Sequence, residues 1–352
     1  MKKIFLFAAA MLAAFTMNAQ TIEIDGDNAD WAEVPMYTDP GVSPMVKFIV
    51  PQTGATLPSG AAYCVLVEGD HAQVLAGYPV IYTDADNNNT TGTAPWICPA
   101  MGYDYEMATW SDGSLFAASD AGDIREMCIM QSAFSGVPFA GSFGAYLTFA
   151  WGQLYLPTDP ETAGWKWSET TYHPYYVKSY QFHDLNGTLN ASDVFSTHEA
   201  LTPGASLDMT NGYANAVLLW ASWAVELTQP AVYDIAASIT STNTASVDLA
   251  LVSCATNEVV ASFTSGDLSE GAAVEVGTWD LSAVPAGKYM LRFSNHVEWS
   301  EMHLNSLTLT AQGGTAIDNT AAEVQAAKVV RNGQVLIIRD GKTFNALGAE
   351  IK

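Results

Sequence analysis

Cations are scarce in this chain. Lys and Arg number 13 against 37 Asp and Glu, for a formal net charge of −24. Two of the 13 are Lys2 and Lys3, and five lie in the last 25 residues: Lys328, Arg331, Arg339, Lys342 and Lys352. Six remain for everything between. A surface this acidic repels nucleic-acid phosphates and anionic lipid headgroups, so those partners are excluded. It suits neutral ligands, cations, or solubility outside the cell.

Other absences narrow the reading further. Helical periodicity is nearly missing, which argues against an α or α/β fold. The four cysteines (Cys64, Cys98, Cys128, Cys254) contain no CxxC pair, so a zinc ribbon or thioredoxin-like centre is not expected. They allow three full pairings, and at most one bridge, within the first domain, is expected. No GxSxG elbow, HExxH or P-loop occurs, and the six histidines are isolated. These absences favour a binding protein over an enzyme. After the N-terminus no apolar run is long enough to span a bilayer. The most hydrophobic stretch, Ala214 to Leu227, is short, carries Ser222 and Glu226, and reads as a buried strand pair or core segment.

The N-terminus is organised for export. Lys2 and Lys3 precede an apolar run from Ile4 to Phe15 that is too short for a span, and small residues follow. Residues 1–19 are read as a signal peptide cleaved after Ala19. Beyond it, strand alternation is common. Tyr233, Ile235, Ala237 and Ile239 share one face while Asp234, Ser238 and Thr240 take the other; Val247, Leu249, Leu251 and Tyr289, Leu291, Phe293 repeat the pattern, as do Leu307, Leu309 and Ala311. Turn-forming segments separate them. The expected fold is all-β: a sandwich over 20–185, a second over 186–312, a Gly-rich linker at 313–326, and a short hairpin-like tail at 327–352. In that tail Val335 to Ile338 would be apolar on both faces, and Asp340-Gly341 would turn toward Thr343 and Phe344.

Three segments carry a resemblance. Ile24-Asp25-Gly26-Asp27-Asn28-Ala29-Asp30-Trp31, then Asp84-Ala85-Asp86-Asn87-Asn88-Asn89-Thr90-Thr91-Gly92, then Gly102-Tyr103-Asp104-Tyr105-Glu106 resemble, in order and spacing, the family 9-like carbohydrate-binding domains related to the DOMON sandwich. Residues 190 to 312, through Trp279-Asp280-Leu281 and Val284-Pro285-Ala286-Gly287-Lys288-Tyr289, resemble jelly-roll carbohydrate-binding modules. The stretch from Arg331 to Asn345, with Gly348 to Lys352, is similar to type IX secretion sorting tails of exported Bacteroidetes proteins, although it stops short of the full-length signal. The resemblances imply a carbohydrate ligand, a structural ion in the first sandwich, and contact between the tail and secretion machinery.

Two constellations carry candidate chemistry. Asp84, Asp86, Asn88 and the Thr90 carbonyl place oxygens at alternate positions of a turning loop, a donor set suited to Ca²⁺ though not an EF-hand. Trp165, Trp167, Tyr172, Tyr175 and Tyr176 form the densest aromatic cluster, in polar, loop-like surroundings. Trp96 and Trp110, with Tyr103 and Tyr105, lie near the acidic loop. Aromatic faces stack on sugar C–H faces while amides and carboxylates bond the hydroxyls. The leading expectation is an exported, non-catalytic binder of a neutral glycan at the cell surface or beyond it. A structural or adhesive protein that binds other proteins is the alternative. A haem-binding DOMON domain, for which Met101 and His71 would be available, is a third reading.

Overall fold

The computed structural model describes residues 20–38, 40, 43–70, 80–86, 105–108, 114–119, 121–134, 139, 142–149, 154–156, 175–197, 204–210, 219–242, 246–295, 297, 299–312, 327–331, 334–339, 342–345 and 350–351. Among these the chain is all-β: strands, three single-turn 3-10 helices and no α-helix. No helix of the described residues is long and apolar enough to cross a membrane.

The first sandwich pairs two sheets. One runs Met45–Ile49, Ala61–Glu68, Ile124–Met130, Ser114–Ala118. The other is built on Ser142–Phe149, flanked by Val80–Asp84 on one side and by Leu154–Leu156 and Tyr175–Lys178 on the other. Alternation decides which side chains meet. Val46, Phe48, Tyr63, Val65, Val67, Met127 and Ile129 face Ile81, Phe143, Ala145, Leu147 and Val177 in one core. The Ala61–Glu68 strand is a nearly unbroken apolar run because its other face is covered too. There Cys64, Leu66, Ile49 and Cys128 pack under Ile22, Trp31 and Val34 from the N-terminal segment. Cys64 and Cys128 are directly opposite one another across the two central strands and form a disulfide. Cys254 is a free, buried thiol.

The second sandwich sets the sheet Leu219–Leu227, Gly287–Asn295, Asp248–Ser253, Val259–Thr264 against Met302–Ala311, Val232–Thr242 and Gly271–Asp280. The alternating residues fill its core as expected: Tyr233, Ile235, Ala237 and Ile239 meet Leu249, Leu251, Leu291 and Phe293. Leu304 and Leu307 both point inward despite their odd spacing, because the register against Val232–Thr242 shifts between Ser238 and Ile239. Such a bulge lets a strand change which parity it buries.

The first sheet of the second sandwich is buried on both faces. Its outer residues Ala224, Val252 and Met290, with Cys254, belong to the same apolar cluster as Met36, Tyr37 and Phe195. The described residues up to Ala311 form one compact unit, and those from Gln312 a second. Lys47, 3% exposed, donates from Nζ to the carbonyls of Trp31 and Cys254, each at 2.7 Å, and so ties the first sandwich to the second.

Two buried groups at this junction titrate in opposite senses. Desolvation pulls the Lys47 ammonium down to about 8, against about 10.4 in an unfolded chain. Between those values the unfolded state holds more protons, so stability rises with pH. Burial pushes the Cys254 thiol up to about 12. The folded state therefore keeps a proton that the unfolded thiol loses near pH 8.5, and stability falls above that point. Each slope is at most about 1.4 kcal/mol per pH unit. Urea unfolding across pH 7.5–10 should show the wild type levelling off above about pH 8.5. Cys254→Ala should keep gaining stability toward about pH 10, by roughly 2 kcal/mol. Parallel curves for the two proteins would contradict this assignment.

The tail is a four-stranded antiparallel meander: Ala327–Arg331, Gln334–Arg339, Lys342–Asn345, Glu350–Ile351. The expected hairpin is its central pair, with Ile337 opposite Phe344 and Arg339 opposite Lys342. Strands on either side extend it.

Candidate ligand-binding site

The Ile-Asp-Gly…Asp-Trp segment folds as a lock rather than a ligand site. Asp25 accepts from the Asp27 amide and Asp27 from the Ala29 amide, each at 2.9 Å, which curls the chain through two side-chain turns. Gly26 has φ +88°, and a Cβ there would lie 2.6 Å from the Ala118 carbonyl oxygen, so only glycine fits. The amides of Asp25 and Gly26 donate to Glu126 Oε2 at 2.9 and 2.5 Å, and Trp31 Nε1 donates to Oε1 at 2.6 Å. Glu126 is fully buried. Burial raises its carboxyl pKa although all three donors favour the charged form.

Of the four expected metal ligands, two are described. Asp84 closes the Val80–Asp84 strand opposite Gly144 and is 4% exposed, and Asp86 is exposed in the turn that follows. Asn88 and Thr90 lie outside the described residues. So do Trp96, Trp110, Trp165, Trp167 and Tyr172. Of the aromatic cluster, Tyr175 is a core residue, its ring 6.0 Å from that of Tyr37 and 6.2 Å from that of Phe48. Tyr176 alternates to the other face of the strand and is half-buried. Neighbours on opposite faces do not share one flat platform.

The described surface offers a different aromatic. Trp299 is 65% exposed. It sits in the connection between Gly287–Asn295 and Met302–Ala311, at one end of the second sandwich, with φ +56°. That left-handed conformation is costly for a bulky residue and is held by its neighbours. Asn295, fully buried, donates to the Met209 carbonyl at 2.7 Å and to Ser300 Oγ at 2.8 Å, and accepts from the Val297 amide at 3.1 Å. Ser300 Oγ donates to the Val297 carbonyl at 2.7 Å. The same end of the sandwich carries His303, whose Nε2 is 3.7 Å from Asp208 Oδ1 and 4.0 Å from Glu301 Oε1. Burial works against the Asp208 carboxylate, but hydrogen bonds from Thr210 and the charge of His303 outweigh it and hold its pKa below the usual range. A solvent-facing indole in the connection that leads to Glu301 and His303 offers a stacking surface close in sequence to hydrogen-bonding groups. Trp299 was not among the residues expected from sequence. It stands alone in Glu298-Trp299-Ser300-Glu301, and its polar flanks were the one available signal.

A groove of about 680 Å³ runs between Met45, Glu68 and Gly69 on the first sandwich and Asn257, Glu258 and Val259 on the second. Among the described residues its lining contains no aromatic ring. Three of the six body cations are turned inward: Lys47, Arg125 and Arg292 are each 5% exposed or less. The outer surface is left strongly acidic.

No family model matches the chain, and no curated protein matches its sequence. Among solved structures, a carbohydrate-binding module from Clostridium stercorarium in complex with cellobiose aligns with 38% of this chain and 98% of its own, at 10% identity and TM-score 0.26. A GH26-CBM35 β-(1,4)-mannanase from Podospora anserina aligns over 36% and 28%, at 17% and 0.22. An Arthrobacter globiformis isomalto-dextranase complexed with panose aligns over 72% and 35%, at 11% and 0.24. Likenesses this low do not bear on function.

Proposed function

We propose that this chain is an exported, non-catalytic binding protein that holds a neutral glycan against Trp299. The observation that carries the reading is the exposed indole on a hydrogen-bonded, conformationally costly turn. Strain persists where surrounding structure imposes it, and such strain clusters at ligand-contacting positions. A rigid indole loses little entropy on contact. The acidic exterior favours an uncharged partner over nucleic acid or anionic lipid. On this reading the first sandwich is a family 9-like domain whose Asp84, Asp86, Asn88 and Thr90 hold a structural Ca²⁺, Trp165 and Trp167 supply further stacking, residues 1–19 direct export, and the 327–352 tail engages secretion machinery.

The test is affinity electrophoresis through gels containing neutral polysaccharides such as cellulose derivatives, mannans, xylans and α-glucans. One of them should retard the wild type. Trp299→Ala should weaken retention by about 2 kcal/mol, roughly 30-fold. Trp299→Gly should lose it equally while gaining about 0.5–1 kcal/mol of stability, because glycine adopts the left-handed conformation without strain. Retention unchanged in both variants would reject Trp299 as the platform. Retardation by none of the gels would reject the glycan.

A further inference from the structure

The strand Val259–Thr264 stands at the edge of its sheet among the described residues, paired on one flank with Asp248–Ser253. Ala261 and Phe263 pack against the core of the second sandwich, while Val259, Val260, Ser262 and Thr264 are exposed. A register shift is confined to the start of the strand, and the rest pairs regularly. Just beyond it the Ser265 amide donates to the Val247 carbonyl at 2.9 Å. Bonded positions alternate along an antiparallel pair, so the main-chain groups of Ser262 and Thr264 point away from Asp248–Ser253. Edges of this kind are normally blunted by Lys or Pro. This one has neither and carries no charge, although Val259, Val260, Phe263 and Thr264 are good strand formers.

The groove of about 680 Å³ opens beside the start of this edge, where Val259 and Val260 line it with Pro40 and Met45. Glu68 and Glu258 are the charged groups of its described lining, and no cation stands among them. Glu258 is exposed and accepts from Thr256 Oγ1 at 3.3 Å; Glu68 accepts from Asn28 Nδ2 at 2.9 Å. Lys47 feels the charge of Glu68, but its Nζ donates to the carbonyls of Trp31 and Cys254. Close packing shapes the wall: a Cβ at Gly69 would lie 2.9 Å from Pro44 Cβ.

We propose that the Val259–Thr264 edge and the adjoining groove bind an extended peptide segment in which Lys or Arg alternates with β-branched residues. The segment adds a strand to the sheet through the main-chain groups of Ser262 and Thr264. Its apolar side chains continue the face of Ala261 and Phe263, and its basic ones take the face of Val260. There their stems lie over Val259 and Val260 while their charged heads reach Glu68 and Glu258. Each part selects the occupant. Open main-chain groups call for another backbone, and the two carboxylates call for a cation. A sugar finds no ring in the described lining to stack on. A second copy of this chain, at a formal charge of −24, brings like charge to the carboxylates. The site is separate from Trp299, and the proposal does not rest on that reading.

The test is fluorescence anisotropy of a labelled heptapeptide, Thr-Lys-Val-Lys-Val-Lys-Thr, titrated with the full chain. In 0.15 M NaCl the Debye length of about 8 Å screens general attraction to the acidic body. The same peptide N-methylated at its valines and lysines keeps the charge and loses the main-chain donors. The wild type should bind the plain peptide at least tenfold more tightly than the methylated one. Ser262→Pro removes an outward N–H, a change that an edge strand tolerates. It should keep the wild-type melting temperature and lose at least tenfold in affinity. Glu258→Lys, at an exposed position, should also lose at least tenfold. Absence of saturable binding by the wild type would overturn the proposal, and so would equal binding of the methylated peptide, which leaves charge alone as the attraction. Equal binding by either variant would overturn it as well; if the proline variant unfolds, the lysine variant decides. Sedimentation velocity without peptide should show no dimer that Ser262→Pro dissolves. Such a dimer would give the edge to a second copy and refute the peptide site.

Discussion

Replacing Trp31 with alanine is expected to cost at least about 4 kcal/mol of stability. Truncating a fully buried indole leaves a cavity worth about 3–5 kcal/mol, here among Ile22, Val34, Ile49 and Leu66. It also removes the Nε1 donor to Glu126 and leaves one oxygen of a fully buried carboxyl without that partner. Trp31→Phe separates the two effects: the ring stays, the donor goes, and the loss should be about 1–3 kcal/mol. Urea unfolding followed by circular dichroism measures both. A loss under about 1 kcal/mol for the alanine variant would mean that the N-terminal lock does not hold the sheet beneath it.

The disulfide should matter about as much. Cys64 and Cys128 close a loop with a sequence separation of 64. Cross-linking a loop of that length removes unfolded-chain entropy worth about 4 kcal/mol in the chain-entropy model. The double variant Cys64→Ala, Cys128→Ala should therefore unfold at markedly lower urea, and reductant should have little further effect on it. Because both cysteines pack in the cluster that holds Trp31, combining the variants should give a sum that departs from additivity. Equal stability of the double variant and the oxidised wild type would contradict the bridge.

Alternation made the second sandwich legible. Tyr233 to Ile239 and Leu249 to Leu251 sit in the core where their period of two places them. The inward turn of both Leu304 and Leu307 was not readable, because a bulge resets parity without a marker in composition. Nor was the shared core. Ala224, Val252 and Met290 occupy polar-side positions of their strands, and nothing local says that a second sandwich will cover them. The Gly26 turn announced itself, but its partner Glu126 is 100 residues away, a separation that no short-range pattern spans. For the binding site, local density of aromatics drew attention to Trp165 through Tyr176. Of that cluster only Tyr175 and Tyr176 are among the described residues. Tyr175 went to the core, whereas the isolated Trp299 stayed in solvent, and side-chain exposure follows from tertiary packing that one sequence does not display.

The most direct test of the Trp299 assignment is to follow the indole N–H signals of the ten tryptophans by two-dimensional NMR during titration with an oligosaccharide of the retained neutral glycan. The account predicts that the Trp299 signal, assigned through its absence in Trp299→Gly, moves progressively and saturates, while those of the buried Trp31 and Trp223 stay fixed. A saturable response confined to other tryptophans, with Trp299 unmoved, would contradict it.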